Sequence, residues 1–445
     1  MDDDNYERRN TTDATVSSEL VGWTLESSGR GTLSLITTCL VTIALCTWVV
    51  IHPRINKRRK FRLTHKMALF LKTFIAPELI AVEAAQEWTQ ARQLVKDSEK
   101  VTNGGLHILH AFYIGMFGIR YHTTNGTRIL WPNQFLWLLE QGLFDWRGKR
   151  EWGLELQVIK DKSKADSAAK LFALLQSAWF LAQSIMRAAH RLPLAPLESM
   201  TLGYIPLFVI TYFYWWLKPK DVETPSEVYL PIMDDDQKRT FEALAISDAF
   251  DEEATAEQSS LWQVWYLTPR TFEKVYKDEQ LRQAEQDYEK ASQAFVRHER
   301  VCEETACTTC KLPEPCSPKP EDELVLSHWD PTLYHSKLYP LACLVGISFG
   351  ALHLASWDTR FPTFAELWLW RAAAIVSMAT MLVFMQFERV VVRWQDPLML
   401  VKIASPVLYL LSRLVMTAGA IAAFRATDPG VYETYVASSY WVHLL

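Results

Sequence analysis

Four cysteines, Cys302, Cys307, Cys310 and Cys316, fall within fifteen residues of one polar stretch. Thiolates at that density can close a tetrahedral zinc site. The spacing, C-x4-C-x2-C-x5-C, is unusual for a zinc module. Its first three positions follow the order of plant-type ferredoxins, in which the fourth ligand is remote. Zinc and free or regulatory thiols both stay open, and disulfides require an oxidising compartment. Cys39, Cys46 and Cys343 sit in apolar blocks and read as small hydrophobes.

Further candidates are charges in apolar surroundings. Arg413 lies inside YLLSRLVMTAGAIA, where a charge needs a bundle interior, a wet cavity or an acid. Glu198, His353 and Glu388 are its candidate partners by position, while Arg187 and Glu198 flank one tight turn and are expected to pair with each other. Asp161 and Asp166, in DKSKAD, suggest a metal–diphosphate site. Five residues of separation puts them on different faces of a helix, however, and Lys162–Asp166 and Asp166–Lys170 are ordinary four-apart ion pairs. His107 and His110 share a helix face and could hold a metal or haem, but no third ligand is identifiable. No Walker loop, G-x-G-x-x-G, G-x-S-x-G or H-E-x-x-H motif occurs, which argues against the common nucleotide, serine-hydrolase and zincin chemistries.

The elements that must position these residues are apolar blocks separated by charged ones. Residues 33–51 carry no charge and are followed by HPRINKRRKFRLTHK, whereas the preceding tail is acidic. A run of about 20 apolar residues crosses a bilayer, and the basic collar marks its cytoplasmic end. The block is too long and too far from the start for a cleavable signal peptide. Blocks 171–186, 196–217, 338–357, 368–387 and 403–424 add five spans, with Lys and Arg gathered on one side.

The expected fold is an all-α polytopic membrane bundle of about six spans with a cytoplasmic helical insertion. Its segments are a lumenal tail (1–32), the first span (33–51) and a cytoplasmic basic loop with interfacial helices (52–167). A two-helix hairpin (168–217), the cytoplasmic insertion (218–337), a three-helix bundle (338–424) and a C-terminal tail (425–445) follow. Residues 67–85 and 105–119 are expected to be interfacial or re-entrant. Asn10 is the glycosylation acceptor this topology exposes to the lumen, and Asn125 is not. A charged helix across 272–295 carries an apolar stripe that packs on its own loop or docks a protein partner.

Mean hydropathy near zero hides this alternation. Trp is abundant and sits at block ends, as in Trp131, Trp215, Trp216, Trp357, Trp368 and Trp441, which suits the headgroup layer. No basic stripe large enough for nucleic acid appears away from the membrane edges.

Gly29-Arg30-Gly31-Thr32, the DKSKAD run and Trp215-Trp216-Leu217-Lys218-Pro219-Lys220-Asp221-Val222 resemble a family of filamentous-fungal multi-pass membrane proteins. Some of its members are encoded beside secondary-metabolite genes. The likeness covers residues 22–222 and, more loosely, the last three spans. It implies an endomembrane location, such as the endoplasmic reticulum, with the plasma membrane as the alternative, and it supplies no catalytic residues. In the last motif, Lys218 and Lys220 are expected at lipid phosphates. The leading expectation is handling of a lipophilic small molecule within the bilayer, as an enzyme or accessory factor of a fungal pathway. Asp161, Asp166, Glu198, His353 and Arg413 would line or gate the cavity. A transporter or channel-like protein and a membrane scaffold acting through residues 272–295 are the alternatives.

Overall fold

Long uncharged runs make the longest helices, and prolines and polar turns divide them. The computed structural model describes residues 20–25, 30–55, 59–123, 126–163, 167–245, 324–326, 339–386, 390–392 and 399–434. In chain order it forms α1 (Thr32–Val50), α2 (Arg59–Ile75), α3 (Pro77–Thr102) and the short α4 (Ile108–Gly115). Strands β1 (Ile119–Thr123) and β2 (Gly126–Ile129) precede α5 (Pro132–Glu140), α6 (Leu156–Lys162), α7 (Ser167–Ala189) and α8 (Pro196–Tyr214). Then come β3 (Ser226–Val228), α9 (Asp235–Ala243), β4 (Leu324–Leu326), α10 (Tyr339–His353), α11 (Phe364–Gln386), β5 (Val390–Val392) and α12 (Met399–Ala422).

The described residues are mostly helical, and among them three helices are long and apolar enough to cross a membrane: Thr32–Val50, Phe364–Val383 and Ala404–Arg425. That is consistent with a membrane protein. Among the other expected spans, the apolar helix Cys343–Ser356 is shorter, and α7 and α8 are diluted by Lys170, Gln176, Glu198 and further polar residues.

Among the described helices, α1, α7, α8, α10, α11 and α12 alternate in direction between two ends. At one end Val21 and Thr427 exchange backbone hydrogen bonds of 2.9 and 2.8 Å, and the Thr32 and Tyr432 hydroxyls meet at 2.9 Å. The Arg187 guanidinium donates to the carbonyls of Pro193, Gly430, Val431 and Glu433. Ser199 bonds Ser356, and Arg425 bonds Glu366. This clasp gathers the N-terminal ends of α1, α8 and α11 with the C-terminal ends of α7, α10 and α12. At the opposite end Lys220 Nζ donates to the Val49 carbonyl at 2.8 Å, completing the C-terminus of α1. Lys218 reaches Glu87 at 2.5 Å there. Both lysines are buried, so they tie helices together and are not turned towards lipid phosphates as expected.

The bundle has an apolar core, yet it also exposes large apolar side chains and buries several charges. Large apolar side chains face outward on all six helices, among them Leu40, Leu175, Phe213, Leu344, Leu369 and Leu411. Arg413, Lys72, Glu78, Glu83, Arg187 and His353 are inside.

Two expectations change. Residues 67–85 are not one segment, because Pro77 has no N–H to continue α2. Ala76 leaves helical geometry (φ −137°, ψ 67°), and Pro77 restarts the chain as the first residue of α3. Residues 105–119 are not one helix either. Short α4 is buried in a small α/β unit whose mixed sheet runs β2-β1-β3, with β1 antiparallel to β2 and parallel to β3. Tyr113, Phe135, Phe144, Trp152, Leu154 and Phe241 fill its core. Gln134 Nε2 donates to the Phe241 carbonyl at 2.9 Å, so the first part of the insertion folds with the preceding loop.

Candidate functional site

The break between α2 and α3 sets an ionisable residue inside the bundle. Glu78, in the first turn of α3, is 1% exposed, and its Oε1 takes an ion pair from Arg413 of α12. Four residues before Arg413, hence on the same face, Tyr409 donates its hydroxyl to Glu78 Oε1 at 2.6 Å. The same hydroxyl accepts from Arg413 Nε and Nη2 at 3.0 and 2.9 Å. The guanidinium lies 3.8 Å over the Phe349 ring of α10. A buried guanidinium is tolerated when an acid, a hydroxyl and an aromatic face replace its water, as they do here. From α8, Tyr204 donates to the Phe74 carbonyl, one of those that the end of α2 leaves open.

His353 closes the cluster from α10. Its Nδ1 bonds the Phe349 carbonyl at 2.6 Å. A carbonyl only accepts, so Nδ1 carries the hydrogen and the neutral ring keeps Nε2 as an acceptor. Gly203 makes room for this approach, since a Cβ there would sit 3.1 Å from Phe349. Four buried polar atoms here have no partner: Glu78 Oε2, Arg413 Nη1, His353 Nε2 and Trp370 Nε1. Beside Arg413 and His353 is a cavity of about 70 Å3, lined also by Phe74, Met200, Tyr204, Phe349 and Thr417. It is walled on the outer side by Leu414, which is 56% exposed.

Two further acids follow Glu78 along α3. Glu83 pairs with Lys72 of α2 at 2.9 Å, both buried, and Glu87 pairs with Lys218. Burial holds the Lys218 ammonium below its ordinary range, against the opposing pull of Glu87. Along α3 the acids follow in the order Glu78, Glu83 and Glu87, each with its own basic partner.

Of the residues singled out by sequence, the structure brings Arg413 and His353 together at this cavity. Glu198 is elsewhere. It accepts from Arg30 at 2.5 Å and from the Ala195 backbone at 2.9 Å within the clasp, while Arg187 is spent on carbonyls, so the expected Arg187–Glu198 staple is replaced by two separate ties. Asp161 is exposed near the end of α6. Lys162 turns inward to Tyr113 and Ser226, at 3.1 and 2.8 Å. His107 and His110 cap α4, with the His107 backbone donating to His110 Nδ1 at 2.9 Å. Burial, then the adjacent His107, pushes the His110 imidazole down to about 4. Among the described residues no group of three or more His, Cys, Asp or Glu could hold a metal. Asp166, Glu388, Asn10, Asn125, the helix at 272–295 and the cluster of Cys302, Cys307, Cys310 and Cys316 lie outside the described residues.

Glu78, Tyr409 and Tyr204 were missed as site residues. The available signal was Pro77-Glu78 inside an apolar stretch, and a tyrosine one turn from the buried arginine.

The chain belongs to a family of unknown function, DUF8562, which matches residues 6–107 and 149–297. The gap between the two matched stretches carries α4, β1, β2 and α5. No curated protein and no solved structure matches the chain.

Proposed function

We propose that this is a multi-pass endomembrane protein whose six long helices span the bilayer and whose cavity receives one end of a lipophilic small molecule. The outward apolar faces of α1, α7, α8, α10, α11 and α12 support six spans, since an exposed surface of this composition suits lipid better than water. Their alternation between two ends supports it too. The end rich in Lys66, Lys218 and Lys220 is cytoplasmic by the positive-inside rule, and the clasp with both chain termini is lumenal. On this reading α2 and α3 are a re-entrant pair, with the backbone break buried in protein.

The carrying observation is the cavity itself: a mostly apolar pocket with Arg413 and His353 among its lining residues and the outward-facing Leu414 in its wall. A volume of about 70 Å3 takes the end of a chain, with the remainder lying along the outer face of α12. The setting, on the family resemblance, is a fungal secondary-metabolite pathway, with the protein as an enzyme or accessory factor. A second reading, transport, is favoured by one observation, the three acids of α3, Glu87, Glu83 and Glu78, that pair with Lys218, Lys72 and Arg413 inside the bundle.

Photolabelling of the protein in nanodiscs tests the first reading, with a hexadecyl chain that carries a diazirine beside a terminal hydroxyl. Adducts on Phe74, Met200 or Thr417 that disappear in Thr417→Trp are expected. Adducts restricted to outward residues such as Leu175 and Leu344, unchanged by Thr417→Trp, would contradict it.

A further inference from the structure

The basic collar that follows α1 continues into α2. Between His52 and Pro77 the sequence contains no acid, and α2 opens with Arg59, Lys60 and Arg62. Cations further along the helix are matched from other elements. Lys66 meets Asp221 at 2.9 Å, and Lys72 meets Glu83 at 2.9 Å.

The two faces of α2 differ in kind. Ala68, Leu69, Lys72 and Thr73 are buried, whereas Leu63, Met67 and Leu71 are 62%, 48% and 53% exposed. Steps of four keep the exposed three on one face, and by register Arg59 and Lys60 open that face one turn earlier. Beside it on α1, Trp48 is exposed and packs edge-on against Phe70, with ring centres 5.9 Å apart. The Lys66 ammonium lies 4.6 Å over the Trp48 ring. Val41, two turns earlier on the same side of α1, is exposed as well.

Dimensions and charge together select the occupant. Leu63 to Leu71 covers about 12 Å along the helix axis, and Arg59 and Lys60 lie about 5 Å beyond Leu63. One leaflet offers about 15 Å of hydrocarbon below its phosphates. Clusters of Lys and Arg just cytoplasmic of a membrane span attract anionic headgroups. An acidic protein would answer the cations and leave the apolar face still to be covered. Anionic lipid answers both with one molecule.

We infer that α2 is a contact surface for anionic phospholipid of the cytoplasmic leaflet, with acyl chains along Leu63, Met67, Leu71 and Trp48 and the phosphate at Arg59 and Lys60. This is the contact expected from the sequence at Lys218 and Lys220, which are buried in the bundle instead. It rests on the bundle spanning a bilayer with this end cytoplasmic, as proposed above.

Native mass spectrometry of the full chain in mild detergent tests it, with dioleoyl phosphatidylserine and dioleoyl phosphatidylcholine added in equal amounts. A single Lys or Arg near an anionic surface contributes about five-fold, so phosphatidylserine is expected on the chain at about five-fold or more over phosphatidylcholine. Arg59→Gln and Lys60→Gln together should bring that ratio to about two-fold or less. Lys238→Gln and Arg239→Gln together, on the exposed side of α9, should leave it unchanged. Equal binding of the two lipids by the wild-type chain, the result for a face that an acidic protein covers, overturns the inference. So does the same loss in both variants, the result for unspecific charge attraction. Alkaline carbonate washing of native membranes separates this failure from failure of the six-span reading. A chain that stays in the washed membrane keeps that reading, and a chain that is released overturns both.

Discussion

Removing one member of the Arg413–Glu78 pair should damage the protein far more than removing both. Arg413 is 4% exposed and Glu78 1%, so either single change to Leu strands an opposite charge in a place that water does not reach. Breaking a buried pair from one side costs about 3–5 kcal/mol, whereas replacing both partners by packed apolar groups is close to neutral. Glu78→Leu and Arg413→Leu should therefore each lose about 3–5 kcal/mol, and the double variant should recover most of it. The double-mutant cycle then gives a coupling of similar size. Poor insertion does not explain such a loss, because deleting a mid-membrane guanidinium eases insertion by about 2.5–3.5 kcal/mol. Arg413→Lys should restore only part, since an ammonium cannot keep both the Glu78 contact and the two bonds to Tyr409. Unfolding in mixed micelles with increasing dodecyl sulfate, followed by tryptophan fluorescence, measures all four proteins on one scale. Single variants within about 0.5 kcal/mol of wild type, or effects that simply add in the double, would refute the reasoning.

Between the His110 value of about 4 and the ordinary 6.5, the unfolded chain binds the proton more readily, so stability should rise with pH across that window and fall on acidification. Melting curves between pH 4.5 and 7 should show this slope in wild type and a flatter one in His110→Phe; equal slopes would exclude His110 as its source. For topology, glycosidase treatment should shift a band carrying a glycan at Asn10, and Asn125 should be unmodified. A glycan at Asn125 inverts the assignment of the two faces. For the cysteine cluster, elemental analysis of the full chain purified under reducing, zinc-replete conditions should find one zinc per chain, lost when Cys307 and Cys310 become Ser. Absence of zinc in wild type retires the site.

The helical blocks were legible because charge-free length is a one-dimensional property: nothing about tertiary packing is needed to see 33–51. The ends of the bundle were partly legible, since the basic and acidic flanks sort by side. The acid partner of Arg413 was not, because topology alone ranks acids by depth along their own spans. Glu78 is not on a span with a regular hydropathy profile. It is brought to Arg413 by the break at Ala76–Pro77, whose direction is a matter of three-dimensional packing. Lys218 and Lys220 misled for a related reason. Paired tryptophans and lysines beside an apolar block look alike whether the lysines meet lipid phosphates or, as here, Glu87 and the Val49 carbonyl. The third strand of the small sheet escaped notice because it joins β1 from over a hundred residues away, with Ile119 paired to Ser226.

The central claim is that the cavity beside Arg413 is occupied by a small lipophile in the membrane from which the protein comes. Native mass spectrometry of the wild-type protein and Thr417→Trp, extracted in the same mild detergent, tests it most directly. The account predicts a bound small molecule other than bulk phospholipid on the wild-type chain, absent from Thr417→Trp. Identical spectra carrying only bulk phospholipid, or nothing, would contradict it.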